Sequence, residues 1–228
     1  MSPIVSRSCL STRANKARYD YNSTVSVLVG PSKEAFLVHQ QIISLKSQFF
    51  NAACRKEWKE GAEKLVRLPE VEPGMFRSYL NWVYTGDLAV DVSVADAEET
   101  ANELKFRGFI ELYVLGDTLD DLRLRNSAMK IIVNGNHQLG PKSITWAFEN
   151  TPTASLMRKQ LVRVAATRWS REKYIKQEEL YPADFVRALA LQLMQLKSDS
   201  DRLSHTSFLN MLPEFLEEEV ASESVSVA

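Results

Sequence analysis

Cysteine is scarce: Cys9 and Cys54 are the two in the chain. One stands in a polar N-terminal arm and the other in an apolar stretch. No disulfide framework can be drawn from them, and a reducing compartment, cytoplasmic or nuclear, fits best. Histidine is nearly as sparse. His39, His137 and His205 fall in unrelated segments, without the spacing from which a zinc set could be assembled. Charge of one sign is missing in bulk, since Lys+Arg 28 stand against Asp+Glu 29 for a formal net charge of -1. That balance gathers no phosphates and no basic run stands in mid-chain, so nucleic acid is not indicated as a partner. No apolar run approaches the ~20 residues of a membrane span, which leaves no membrane role to propose.

Catalytic patterns are equally thin. The glycine-bearing stretch Asn134-Gly135-Asn136-His137-Gln138-Leu139-Gly140 lacks the lysine and the preceding β-run of a phosphate cradle, and a helix-ending turn explains its glycines. The adjacent acids Asp120-Asp121 and Glu178-Glu179 read as solvated faces of amphipathic helices rather than acid–base pairs. These residues give no enzyme, no cofactor and no metal. Asn22-Ser23-Thr24 satisfies the N-glycosylation pattern, but no apolar leader precedes it and it reads as chance.

What is present is a globular composition, 45% hydrophobic and 25% charged over 228 residues, enough for one or two cores. Val25, Val27 and Val29 alternate with Ser26 and Leu28, the period of a strand. Gly30-Pro31-Ser32-Lys33 breaks that run before Phe36-Leu37-Val38 resumes it, which predicts an antiparallel hairpin. Ile42, Ile43 and Leu45 fit a short helix. Ser47 stands as an N-cap ahead of a second helix with Phe49, Phe50, Ala53 and Cys54. Leu65 to Leu68 predicts a third strand, ended by Pro69.

Pro73 sits where a helix begins, Phe76, Tyr79, Leu80, Trp82 and Val83 mark its apolar face, and Gly86 stops it. Leu88-Ala89-Val90 suggests one more short strand, and the charged stretch Ser93 to Arg107 an exposed connection or surface helix. Helices are predicted over Phe109–Leu119, Leu122–Val133, Ile144–Phe148, Leu156–Trp169 and Phe185–Leu196. No repeat period is visible.

The order hairpin, paired helices, strand, aromatic-rich helix resembles the BTB/POZ fold over roughly residues 22 to 90. The motif residues are Val25 to Gly30, Phe36-Leu37-Val38-His39, Ser47-Gln48-Phe49-Phe50, Leu68-Pro69-Glu70-Val71, then Phe76 and Tyr79-Leu80 leading into Trp82-Val83-Tyr84-Thr85-Gly86. Leu112-Tyr113-Val114-Leu115-Gly116-Asp117 with Leu122-Arg123-Leu124-Arg125-Asn126 is similar to the helical continuation of BTB-only proteins of filamentous fungi. His39, at the corner between a strand and a helix, can hydrogen-bond backbone groups, and the resemblance implies a structural role for it.

The resemblance implies an α+β core, a short sheet flanked by helices, followed by an all-helical C-terminal region. It also implies a non-enzymatic protein–protein interaction module that oligomerises, as a homodimer, and recruits partners. BTB adaptors of cullin-type ubiquitin ligases carry a hydrophobic residue, any residue, then an acid at about the place of Trp58-Lys59-Glu60, which makes Trp58 and Glu60 the candidate partner-binding residues and a cullin a candidate partner. An exposed Trp58 would bring about 150–250 Å² to an interface, while packing onto its own domain is the equal alternative. A self-assembling scaffold without a ligase connection is the second reading, and an unrecognised enzyme a distant third.

The transcription-repressor branch of the family uses an acid at the start of the first strand and a base after the histidine. Thr24 and Gln40 stand in those places, and no zinc fingers or kelch-like repeats follow, so neither the co-repressor role nor the dimer of that branch carries over to this chain. In Leu189, Leu191, Leu193, Met194 and Leu196 the C-terminal helices hold an apolar density that either packs against Leu161 and Val164 or receives a partner helix.

The expected organisation is a disordered N-terminal arm over 1–20 and the BTB/POZ domain over 21–119, with a charged insertion at about 91–108. A helical region over 120–200 and a partly disordered acidic tail over 201–228 complete it. The arm carries Arg7, Arg13, Lys16 and Arg18 with no acid before Asp20, which has some transit-peptide flavour, although a plain polar arm accounts for it.

Overall fold

The computed structural model describes residues 20–55, 59–90, 100–135, 139–169 and 180–198. Strand β1 (Thr24–Val29) lies at the centre of a three-stranded sheet of order β2-β1-β3. It pairs antiparallel with β2 (Glu34–His39), Val25 opposite Val38 and Val27 opposite Phe36. It pairs parallel with β3 (Leu65–Leu68), Val27 opposite Val66 and Val29 opposite Leu68. The alternation read in the sequence therefore turns Val25, Val27 and Val29 to the interior together, and a one-residue slip would expose all three. At the hairpin, Gly30 takes φ +73 against Pro73, a backbone state that side chains resist.

Helices α1 (Gln40–Lys46), α2 (Gln48–Ala53) and α3 (Lys59–Glu63) fill the crossover from β2 to β3. Ser47 caps α2 as its sequence position predicts, its Oγ accepting from Phe50 N at 3.1 Å, a contact worth about 1 kcal/mol. Helix α4 (Pro73–Thr85) opens on its proline and stops at Gly86, which sits at φ 80. Its Phe76, Tyr79, Trp82 and Val83 close the core over Val38, Ile43, Phe50, Val66 and Leu68, with Leu80 packed at the margin.

No strand forms at 87–90. The expected fourth strand is a correction: Leu88 and Val90 instead pack beneath the helices that follow, with Val90 against the bare backbone of Gly108. Helix α5 (Ala101–Thr118) begins eight residues before the sequence expectation of Phe109. Thr100 and Glu103 form a reciprocal capping box there, a Thr-x-x-Glu signal that the surrounding charge concealed. The charged stretch is thus helical from Ala101 on, and Phe106 within it is fully buried.

Helices α6 (Leu122–Asn134), α7 (Pro141–Glu149), α8 (Leu156–Arg168) and α9 (Ala183–Ser198) complete the described chain. They match the remaining predicted helices to within a few residues at each end. A second core gathers around Phe106, Ile110, Ile132, Ile144, Leu161 and Phe185. Helix α5 serves both clusters, giving Phe106, Phe109, Ile110, Leu112 and Tyr113 to this one and Leu115, with its C-cap Leu119, to the sheet-side one.

The two bodies also meet where α2 begins. Gln48 N donates to Asp120 O at 3.2 Å and Phe49 N to Leu119 O at 3.4 Å, while Ser47 Oγ donates to the Leu119 carbonyl. The turn between α5 and α6 so takes up amide donors that the first turn of α2 leaves without helical partners.

Candidate interaction surface

Helix α3 carries Glu60 in its first turn, half-buried. Gly61 explains how α3 is held: a Cβ there would overlap the Arg55 carbonyl oxygen, so the helix presses directly on the chain leaving α2. Trp58, the other candidate partner-binding residue, lies outside the described residues, as does the Lys59 side chain. The structure therefore places Glu60 and says nothing of its proximity to Trp58.

Around the β2–α1 corner an aromatic group converges that the sequence did not reveal. His39 Nδ1 lies 3.0 Å from the Tyr84 hydroxyl, which also accepts from the His39 backbone N–H at 3.2 Å. Tyr21 stacks edge-on to the same imidazole, its centroid 5.3 Å away. The imidazole of His39 thus meets a side chain from α4 rather than the backbone groups the sequence suggested.

Gln40 is likewise occupied. It accepts from Ser23 Oγ at 3.0 Å and donates to the Cys54 carbonyl at 3.2 Å. The neutral amide ties the entry of β1 to the end of α2, using both of its polar atoms in a role that an ammonium, with donors alone, could not fill.

Two large aliphatic side chains stand bare beside this corner. Leu37, on the outward face of the edge strand β2, is 72% exposed, and Leu45 on α1 is 65% exposed. Leu37 was legible, because strand parity turns it away from the buried Val38. Leu45 was not, since a seven-residue helix with two buried isoleucines leaves its third aliphatic position ambiguous.

The Cys54 thiol and the Tyr79 phenol, both in the interior, are held protonated. Burial raises the Cys54 thiol above its ordinary range, against a small opposing hydrogen bond from Ser44. Burial also raises the Tyr79 phenol, with the Asp121 charge adding to it. A thiolate or phenolate nucleophile at these positions would need the opposite shift. Asp121 itself corrects the reading of Asp120-Asp121 as a solvated pair: it is fully buried as the N-cap of α6, while Asp120 is exposed and 3.6 Å from Arg125. Glu178 and Glu179 lie outside the described residues. Among the described residues no three His, Cys, Asp or Glu side chains cluster as metal ligands, and no helix is long and apolar enough to cross a membrane.

The order of elements, the central parallel–antiparallel strand and the helix closing on Gly86 agree with a comparison made on sequence. Residues 15–114 match the family model of the BTB/POZ domain. The chain carries a BTB/POZ domain. Its match takes in the sheet and α1 to α4 and runs into α5, so the BTB/POZ unit and the second core share that helix. A BTB/POZ domain is a non-enzymatic protein-interaction module.

Proposed function

We propose that the chain works as a recruitment module that pairs with itself through its BTB/POZ domain and brings a bound protein to a cullin-type ubiquitin ligase. The observation that carries self-association is the exposure of Leu37 and Leu45. Single bare leucines are ordinary. Two of them, one on a sheet edge that is unpaired among the described residues and one on the helix that directly follows, give a second copy both backbone groups and apolar area to cover.

In this reading residues 21–119 are the pairing and recruiting unit and 120–200 the helical region that receives the client. The ligase connection rests on the pattern Trp58-Lys59-Glu60 and on Glu60 opening α3 beside the end of α2. A reducing cytoplasmic or nuclear setting goes with it, as does kinship with the BTB-only proteins of filamentous fungi.

Light scattering tests the pairing: wild type is a dimer at micromolar concentration, and Leu37→Lys with Leu45→Lys is a folded monomer. A wild type that stays monomeric defeats it. Pulldown with a cullin N-terminal region tests the ligase connection, with binding expected for wild type and lost in Trp58→Ala with Glu60→Ala. A stable dimer that captures no cullin would leave the self-assembling scaffold, the second reading, in its place.

A further inference from the structure

Helices α8 and α9 leave an open groove of about 770 Å³ between them. Its floor is apolar, made by Phe148, Val162 and Ala188 with the exposed Leu156 and Leu191. Its walls are basic: Lys159, Arg163 and Arg187 line it against the one acid Asp184. None of those three cations has a carboxylate within ion-pair distance among the described residues. The sequence had left the leucines of α9 between core and partner surface. The structure divides them, with Leu189 buried in the second core and Leu191, Leu193 and Met194 exposed, while the Leu196 side chain lies outside the described residues.

We propose that this groove is covered by the chain's own segment Phe208 to Glu219. That segment reads Phe-Leu-Asn-Met-Leu-Pro-Glu-Phe-Leu-Glu-Glu-Glu, three apolar pairs set among four carboxylates and no cation. It supplies in order what the groove lacks, aliphatic and aromatic cover for the floor and anions for Lys159, Arg163 and Arg187.

The tether permits it. Helix α9 ends at Ser198 beside the groove, and residues 199–207 span up to about 30 Å when extended. The groove follows α9 from Asp184 to Gln195, about 16 Å at the helical rise, so a returning chain reaches all of it. Because the segment is attached, its effective concentration is on the order of millimolar, and a contact with Kd of about 0.1 mM keeps the groove about nine-tenths closed. An acidic segment of another protein would need far greater intrinsic affinity to compete.

Hydrogen–deuterium exchange on the full chain tests this. Tail variant Phe215→Asp with Leu216→Asp, a change remote from both cores, should speed exchange of α8 and α9 amides by up to about tenfold. Groove variant Arg163→Glu with Arg187→Glu should do the same. Adding Glu217→Arg, Glu218→Arg and Glu219→Arg to that groove variant should restore protection, which a groove variant that had merely unfolded α9 could not show. The wild-type protection should be equal at low and high protein concentration.

Unchanged exchange in the tail variant, or failure of the charge swap, overturns the proposal. Protection that grows with concentration also overturns it, and assigns the groove to a second copy. If a free acidic peptide of the tail sequence added to wild type raises protection further, the groove is open and the proposal fails. None of these outcomes depends on the cullin or dimer readings.

Discussion

The indole Nε1 of Trp82 donates to Asp121 Oδ2 across 3.2 Å, in a site where both side chains are buried. The other carboxylate oxygen accepts from Leu124 N at 2.9 Å and so caps α6, while Lys46 Nζ lies 5.5 Å from the indole centroid. One carboxylate thereby joins α4 of the BTB/POZ domain to the first helix beyond it.

Removing that carboxylate should be costly. Asp121→Ala loses the cap and strands the indole N–H, and the expected loss is about 2–4 kcal/mol. Trp82→Phe removes one donor and leaves the cap, for about 1–3 kcal/mol. Urea denaturation of both singles and the double variant should show a coupling of about 1 kcal/mol or more. Strict additivity would show that the bond contributes nothing of its own.

The contact of Gly108 with Val90 predicts a sign reversal. Alanine at 108 favours the helix by about 1 kcal/mol, but its Cβ would overlap Val90 Cγ1, and overpacking of this kind costs about 1–3 kcal/mol. Gly108→Ala alone should therefore destabilise. In a Val90→Gly background the same substitution should stabilise, because Val90 Cγ1 and Cβ, which a Cβ at 108 would meet at 2.1 and 3.1 Å, are both gone. A thermal melt of the four proteins decides the matter.

Much of the BTB/POZ half was legible because its signals are local and agree with one another. Strand parity placed Val25, Val27 and Val29, Ser47 announced α2, and Pro73 and Gly86 bounded α4. The misreadings came where a long-range partner decides. Leu88 to Val90 has β-prone residues, but β2 and β3 already flank β1, and the segment packs on α5 instead. Asp121 looked like half of a solvated pair until Trp82, remote in sequence, supplied its donor. The surface reading was harder still: parity exposes Leu37, but nothing local separates an outward Leu45 from an inward one, and Trp58 lies outside the described residues.

Alkaline stability should carry the mark of Tyr181. Burial, with a smaller contribution from the Glu103 charge, pushes its phenol up to about 12, and its hydroxyl donates to the Leu139 carbonyl at 3.0 Å. In the unfolded chain a phenol titrates near about 10. The folded state thus binds more protons between about pH 10 and 12, and stability is full below that window and falls as pH rises through it. Buried Tyr79 and Cys54 push in the same direction. Denaturation midpoints of Tyr181→Phe should start lower at neutral pH and decline less steeply above pH 10. An unchanged slope would contradict the assignment.

Arg158 closes the loop between α7 and α8. Its Nε donates to Thr151 Oγ1 at 3.1 Å, its Nη2 bonds the carbonyls of Phe148 and Thr151, and its guanidinium lies 4.8 Å from the Phe148 centroid. Lysine keeps the charge and loses the planar fork, so Arg158→Lys should cost about 1–2 kcal/mol. Limited proteolysis should then cut the 149–155 loop faster, and an unchanged cleavage rate would argue that the loop is held by other means.

Helix α5, with its 18 residues, is about 27 Å long and lends one end to each hydrophobic cluster. Neither cluster can lose it and remain intact, so heat should melt the chain in a single calorimetric peak whose van't Hoff and measured enthalpies agree. A fragment truncated after Leu119 would have no such economy: the side of α5 bearing Phe106, Ile110 and Tyr113 would face water, and that fragment should precipitate rather than fold.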